Sequence, residues 1–252
     1  MAWHSKRHNI KHRKAATDAK KSKVYTKVAK IIVMAAKGWA DPSMNPSLAA
    51  ALDKARYNSL PKEVIQKAIL KWSGGGESTN MVELFYEWYW PWWAALYIKC
   101  LTDNTNRSAS NVRSNLGKLG WAIGEPGSVS RQFVEQWVIY ISWVANRKIV
   151  KWNEVEEVSP FDIDQLEEDL MDYDIEDYQI DQWICRVITS KMNFLTVKKQ
   201  IEEFGYKIDD ADLKFESTSP AEISEEDMNK LERIIEILEE DDDVDTVYNN
   251  IF

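Results

Sequence analysis

The residues best suited to bind a ligand are concentrated in the first 37 positions of the chain. Eleven lysines and arginines lie between Met1 and Lys37, against one acidic residue, Asp18. The complete chain of 252 residues nevertheless has a formal net charge of -9. A basic segment on an acidic protein is typical of a surface that binds a polyanion, because Lys and Arg make salt-dependent contacts with phosphate oxygens. The sequence therefore predicts nucleic acid as the ligand of this segment.

The candidate contact residues are the basic and imidazole side chains of this segment. They are His4, Lys6, Arg7, Lys11, His12, Arg13, Lys14, Lys20, Lys23, Lys27 and Lys30. His4, His8 and His12 would also lie on one face of a helix, where imidazoles can ligate a metal. The surrounding Lys and Arg would repel a cation, so the sequence favours phosphate binding and predicts neither a metal nor a cofactor.

A second candidate set, Asp103, Asn104 and Arg107, follows an apolar stretch in the middle of the chain. Asp103 has no neighbouring base with which it could form a catalytic pair. Asp and Asn at such a position also commonly cap the helix that follows. We therefore predict no catalytic residues and a non-enzymatic protein.

Charge divides the chain into two regions. Residues 1–80 contain 16 Lys or Arg and 5 Asp or Glu. Residues 81–252 contain 16 Lys or Arg and 36 Asp or Glu. An acidic body would keep the protein from binding nucleic acid non-specifically away from its basic end. The same carboxylates could instead face a basic protein partner, so a protein-interaction module remains an alternative.

The composition also restricts the class of protein. Hydrophobic residues make up 44% of the chain, and no apolar run approaches the roughly 18 residues that a membrane span needs. The basic N-terminus lacks the apolar core of a secretory signal peptide. Cys100 and Cys185 lie in apolar runs without the spacing of metal ligands, which indicates reduced core residues. These features predict a cytoplasmic protein without membrane contacts.

Three helices are predicted to position the basic segment. Apolar residues recur at helical spacing over residues 24–35 and indicate an amphipathic helix at 24–37, with most lysines on its other side. Asn45-Pro46 marks a loop before a second helix, and Pro61 suits the first turn of a third. Residues 73–80, rich in Gly and Ser, are predicted to form a linker.

Beyond this linker, short strand-like and helical segments alternate. Such a pattern is typical of an α+β fold with split βαβ, ferredoxin-like layers. Residues 128–133 and 138–142 are predicted to be short strands. Ser224 begins a capping-box pattern at the start of a late amphipathic helix. The acidic run at residues 239–243 is predicted to be a solvated turn.

Several ordered motifs are too long to arise by chance. They are Met1-Ala2-Trp3-His4-Ser5-Lys6, Ile10-Lys11-His12-Arg13-Lys14-Ala15-Ala16, Asp53-Lys54-Ala55-Arg56, Leu60-Pro61-Lys62, Leu101-Thr102-Asp103-Asn104 and Gly124-Glu125-Pro126-Gly127-Ser128-Val129. Through these motifs the chain resembles the YebC/PmpR family over essentially its whole length.

The resemblance implies an N-terminal three-helix domain followed by two ferredoxin-like α/β domains, one inserted in the other. The expected parts are a basic arm at 1–22, a helical head at 23–72, the linker at 73–80, an α/β domain at 81–135 plus 206–252, and an inserted α/β domain at 136–205. Family members are described as DNA-binding transcriptional regulators, and others, including mitochondrial relatives, as ribosome-associated translation factors. The resemblance thus implies a regulator of gene expression whose arm binds DNA or, alternatively, ribosomal RNA.

Tryptophan occupies unusual places in these motifs. Where the family pattern resembles Tyr-Glu-Gly-Tyr-Gly-Pro-Gly-Gly, this chain has Tyr86-Glu87-Trp88-Tyr89-Trp90-Pro91-Trp92-Trp93, and it has 12 Trp but only 9 Gly in all. The other tryptophans at family glycine positions are Trp3, Trp39, Trp72, Trp121, Trp137 and Trp183. An aromatic platform for stacking bases is one interpretation. Because Trp cannot replace the conformational freedom of Gly, we favour the hypothesis that the natural protein has Gly, read from a reassigned codon, at these positions.

We expect intact-mass spectrometry of the protein purified from its natural source to give a mass below that calculated for this sequence. Each reassigned codon would lower the mass by the difference between a Trp and a Gly residue. A measured mass that matches 12 tryptophans would contradict the hypothesis.

Overall fold

The computed structural model describes residues 18–71, 80–89, 94–118, 123–150, 153–171, 173–181 and 184–251. These residues form seven α-helices and eight β-strands, which confirms the predicted α+β class. The chain divides into two compact units, residues 1–134 with 215–252 and residues 135–214, so that the second interrupts the first in sequence. None of the described helices is long and apolar enough to cross a membrane.

The helices and strands are named here in chain order. The helices are α1 (Asp18–Ala36), α2 (Pro46–Tyr57), α3 (Lys62–Leu70), α4 (Thr105–Gly117), α5 (Ile163–Met171), α6 (Phe194–Glu203) and α7 (Glu225–Glu239). The strands are β1 (Val82–Tyr89), β2 (Ala95–Thr102), β3 (Phe133–Val150), β4 (Asn153–Ser159), β5 (Asp177–Asp181), β6 (Ile184–Thr189), β7 (Tyr206–Ser217) and β8 (Val244–Asn249).

The first three helices pack around a common apolar core that includes Ile32, Leu48 and Ala55. Asn45 joins α1 to α2, because its Oδ1 accepts from Leu48 N at 3.1 Å while its Nδ2 donates to Ala35 O at 2.8 Å. The three predicted N-terminal helices are confirmed, although α1 begins at Asp18 rather than at residue 24. The first turns of α1 are polar, so the apolar periodicity in the sequence did not indicate them.

The first unit also contains a three-stranded antiparallel sheet in the order β1-β2-β8. Helices α4 and α7 pack on one face of this sheet, where Leu96, Leu116 and Leu231 are buried together. Aromatic side chains, among them Phe85 and Tyr97, cover the other face, and their rings stack at 4.5 Å between centroids. The sheet therefore has an apolar layer on both faces, and its order brings β8 next to β2.

One buried carboxylate, that of Glu87 in β1, organises the loop before β3. Its oxygens accept hydrogen bonds from the backbone N–H groups of Gly127, Val129 and Ser130 at 2.8, 2.6 and 3.0 Å. Burial opposes ionisation of Glu87, but these donors outweigh it and lower the pKa of the carboxyl. Gly127 has a φ of 87°, a backbone conformation that favours glycine.

The prediction of a strand at residues 128–133 is wrong. The N–H groups that such a strand would need are bound to Glu87, and the chain instead forms a 3-10 turn at Ser130–Gln132. Strand β3 begins only at Phe133 and continues through the second predicted strand, residues 138–142.

The second unit is built on a sheet with the order β4-β3-β6-β5, in which β7 also pairs with β3. Helices α5 and α6 pack on this sheet, and Ile139, Leu166 and Phe194 are fully buried between the layers. Cys185 lies in this core and Cys100 in that of the first unit, which confirms that both cysteines are buried.

Three tryptophans, Trp39, Trp88 and Trp137, have described side chains. Trp88 and Trp137 are buried in strands, whereas Trp39 is exposed. Among the described residues, only Ser59 combines a positive φ with a side chain. The backbone at these three tryptophans therefore does not demand glycine, and the codon hypothesis remains a prediction for mass spectrometry.

Replacing Glu87 by Ala should lower the free energy of unfolding by about 3 kcal/mol, because buried N–H groups lose their acceptor. Amide hydrogen exchange at Val129 and Ser130 should accelerate in the same variant. Glu83→Ala on the same strand is the matched control, since its carboxylate makes only a surface ion pair with Lys99 at 3.1 Å. Equal urea midpoints for the two variants would refute the organising role of Glu87.

Candidate nucleic-acid interface

Most of the predicted phosphate-binding residues precede the described part of the chain. Those outside the described residues are His4, Lys6, Arg7, Lys11, His12, Arg13 and Lys14. Lys20 belongs to α1, but its side chain is not among those described. Side-chain contacts are therefore described for three of the candidates, Lys23, Lys27 and Lys30, which follow one another along α1.

These three lysines reach the acidic turn between α7 and β8. Their spacing of three or four residues places them on one side of the helix. The contacts are Lys23 Nζ to Glu240 O at 3.4 Å, Lys27 Nζ to Glu239 O, Lys30 Nζ to Asp242 O at 2.8 Å, and Lys30 Nζ to Asp243 Oδ1 at 2.6 Å. The basic face of α1 thus has acceptors within the protein.

The end of α7 explains why lysines are held there. Helix α7 has no basic residue in its last turn, and the final carbonyls of a helix lack intrahelical donors and carry the negative end of its dipole. Lys23 and Lys27 supply donors from another helix. Burial lowers the pKa of Lys27 and outweighs the attraction of Glu239 and the neighbouring aspartates. An ammonium group in this position is already desolvated and bonded.

Asp243 is the carboxylate at the centre of this contact. Its side chain is only 3% exposed, and Arg107 donates from Nε to Oδ2 and from Nη2 to Oδ1, both at 3.0 Å. Burial opposes ionisation of Asp243, but the hydrogen bonds from Arg107 and Lys30 outweigh it and lower its pKa. One carboxylate therefore links α1, α4 and the start of β8.

A turn does form at residues 240–243, with Glu240 and Asp242 exposed, but the prediction that the whole run is solvated is wrong. Its carbonyls accept from α1, and Asp243 is buried between two cations. The sequence contained one signal for this contact: Asp243 directly precedes the apolar start of a strand, while lysines recur along one face of α1.

The second candidate set, Asp103, Asn104 and Arg107, does come together. Asn104 Oδ1 accepts from Arg107 N at 3.0 Å and caps α4, as the alternative interpretation predicted. Asp103 accepts from Arg107 Nη2 at 2.8 Å, and this hydrogen bond lowers the pKa of Asp103. Arg107 is thereby directed to Asp243. In the described residues, no group of three or more His, Cys, Asp or Glu could hold a metal ion.

Some cations of the first three helices are exposed to solvent instead. Lys62 and Lys67 of α3, and Lys71 after it, are exposed. They differ from the three α1 lysines, which contact the acidic turn. The geometry therefore separates a docked basic face on α1 from a solvated one on α3.

Two family profiles match the chain. The profile described as "TACO1/YebC protein N-terminal domain" matches residues 5–75, and the one described as "TACO1/YebC second and third domain" matches residues 81–251. Together they span both units of the structure.

Relatives of similar length carry the name "Probable transcriptional regulatory protein". The one from Thermoanaerobacter pseudethanolicus is 38% identical, over 100% of this chain and 97% of the relative. YrbC of Bacillus subtilis is 38% identical over 99% of both chains. A crystal structure of a conserved hypothetical protein from Aquifex aeolicus has a TM-score of 0.75 and 29% identity, covering 93% of this chain and 91% of the other.

Replacing Asp243 by Asn should lower the free energy of unfolding at neutral pH by about 2 kcal/mol, because Arg107 and Lys30 lose their charged acceptor. A carboxyl with a lowered pKa stabilises the fold above its unfolded-state pKa and loses this contribution as the pH falls through the folded-state value. The difference between wild type and variant should therefore persist down to about pH 4 and vanish in stronger acid.

Asp242→Asn is the matched control for this experiment. The side chain of Asp242 is exposed, and the substitution leaves the backbone carbonyl that accepts from Lys30. Urea unfolding over a pH series should show little change for this variant. A similar loss in both variants, or a loss in Asp243→Asn that does not depend on pH, would contradict the assignment.

Proposed function

Because the chain belongs to the TACO1/YebC family, we propose that it is a non-enzymatic regulator of transcription that binds DNA through its basic N-terminal arm. The observation that carries the proposal is the concentration of eleven Lys or Arg against one Asp in residues 1–37 of a chain with a net charge of -9. Cations placed on a phosphate backbone release condensed counterions, which drives binding. The names of the relatives support the regulatory role.

The basic residues have two different tasks in this proposal. The residues that contact phosphate are those of the arm that precede α1: His4, Lys6, Arg7, Lys11, His12, Arg13 and Lys14. Lys23, Lys27 and Lys30 anchor α1 to the acidic turn, and Lys20 lies between the two sets. The 15% exposure of the Lys30 side chain and its two acceptors support the anchoring role. A phosphate could recruit such a lysine only by breaking contacts that it already has.

Anchoring of α1 also fixes the position at which the arm joins the helical core. Helix α1 leads directly from the arm into the core of the first three helices, where Val28 and Ile32 are buried. Phosphate contacts set position and affinity but carry no base sequence. The arm accordingly supplies affinity for the duplex rather than choice of site.

Replacing Lys6, Arg7, Lys11, Arg13 and Lys14 together by Gln should weaken binding to duplex DNA and reduce its salt dependence. The slope of log K against log salt concentration should become shallower by about 0.9 for each phosphate contact that is lost. Fluorescence anisotropy with a labelled duplex over a sodium chloride series measures both quantities.

The matched control replaces Lys62, Lys67 and Lys71 by Gln, since these exposed lysines lie on and after α3. In this variant the slope of log K against log salt concentration should be nearly the same as in wild type. The proposal would be overturned if the arm variant bound duplex DNA as tightly as wild type does. It would also be overturned if the α3 variant lost as much affinity for each charge removed as the arm variant does. If the arm variant lost co-sedimentation with ribosomes while transcript levels stayed unchanged, the target would be ribosomal RNA and the DNA part of the proposal would fall.

A further inference from the structure

The second unit contains a cleft that the proposed function does not use. The C-terminal half of α5, residues 173–176 and the start of β5 line an open cavity of about 300 Å³. Leu170, Met171 and Tyr173 contribute apolar wall, and carboxylates from both elements contribute to its lining. We call this feature the β5 cleft.

The segment of the sequence that forms the β5 cleft carries charge of one sign. Residues 162–181 contain ten Asp or Glu and no Lys or Arg. Three of these acidic residues, Glu167, Glu176 and Asp177, line the cavity itself. Carboxylates gathered at one place repel one another and any polyanion, and a bound cation relieves that repulsion. An acidic surface by itself serves solubility, so the apolar part of the cleft is what distinguishes it.

That apolar part is open to solvent. The side chain of Met171 is 83% exposed although it lies at the mouth of an apolar cavity. Methionine is flexible and polarisable, and exposed methionines are typical of surfaces that adapt to peptide partners. The Tyr178 hydroxyl donates to Glu167 Oε1 at 3.0 Å and so links β5 to α5. The β5 cleft thus combines an acidic side with an adaptable apolar side.

Strand β5 adds a backbone edge to the cleft. It pairs with β6 from Asp177 opposite Ile188 to Asp181 opposite Ile184, and it ends the strand order. No strand in the described part of the chain pairs with its other edge. Such an edge presents backbone N–H and C=O groups that can pair with an extended segment. A chain bound there would pass the carboxylates at the start of β5.

We propose that the β5 cleft binds an extended, Lys- and Arg-rich segment of another protein. An apolar side chain of that segment fills the cavity against Met171 and Tyr173, and its basic side chains face Glu167, Glu176 and Asp177. The charge of the cleft excludes the nucleic acid that the arm is proposed to hold. This inference does not depend on the proposed function, because it concerns a different unit and a ligand of opposite charge.

The probe is a fluorescently labelled peptide of alternating lysine and leucine, titrated against the full-length protein by fluorescence anisotropy. An alternating lysine and serine peptide has the same charge without the apolar side chains. The lysine and leucine peptide should bind more tightly by about tenfold, because only it buries apolar surface in the cavity. Equal affinity for the two peptides would reduce the cleft to a general acidic surface and overturn the proposal.

Two pairs of matched variants locate the binding. Glu176→Gln with Asp177→Asn should weaken binding of the lysine and leucine peptide by about fivefold to tenfold, whereas Glu225→Gln with Glu226→Gln, exposed on α7, should leave it nearly unchanged. In the Met171→Ser variant, the lysine and leucine peptide should bind no more tightly than the lysine and serine peptide. Met192→Ser is its control, since Met192 is 91% exposed and does not line the cavity.

Equal losses in the cleft and control variants would overturn the proposal. So would a dimer of the protein that dissociates on Met171→Ser in sedimentation velocity, because the cleft would then belong to a second copy. Binding of labelled duplex DNA by the same variants should equal that of wild type. A loss of DNA binding there would count against the separate ligands proposed for the arm and the cleft.

Discussion

The carboxylate of Asp243 is the constraint on which the arrangement of the first unit depends. A buried carboxylate is tolerated only when hydrogen-bond donors surround it, and for Asp243 the charged donors Arg107 and Lys30 supply them. Lys30 lies on α1 and Arg107 on α4, so one charge couples the N-terminal helices to the sheet that carries β8. The carbonyls at the end of α7 extend this contact along α1.

Burial decides what each charged residue of this protein does. Lysines of the same chemical type anchor α1 where they meet carbonyls and face solvent on α3. Carboxylates divide in the same way: Glu87 and Asp243 are buried acceptors that organise the fold, whereas those of the β5 cleft remain at the surface. Net charge therefore indicates the class of ligand, and the contacts of each side chain indicate which residues are available to it.

The two proposals assign opposite ligands to opposite charges. The arm offers phosphate contacts, which hold a nucleic acid without reading its sequence. The β5 cleft offers carboxylates beside an apolar cavity, a combination that suits a basic protein segment. In such a regulator the arm provides affinity for nucleic acid, and the β5 cleft provides association with a protein. Membership of the TACO1/YebC family is compatible with both, because its profiles cover the three N-terminal helices and the two sheets.

Local patterns in the sequence determined the α+β class, the three N-terminal helices and the capping of α4 by Asn104, because each depends on residues only a few positions apart. The acidic and basic regions were equally apparent. The tertiary structure alone decided that residues 128–132 are not part of a strand and that α1 lysines meet an acidic turn. Glu87 lies 43 residues from Ser130, and Lys30 lies 213 residues from Asp243. Spacing along a chain cannot reveal such pairs, since folding brings together charges that no short pattern connects.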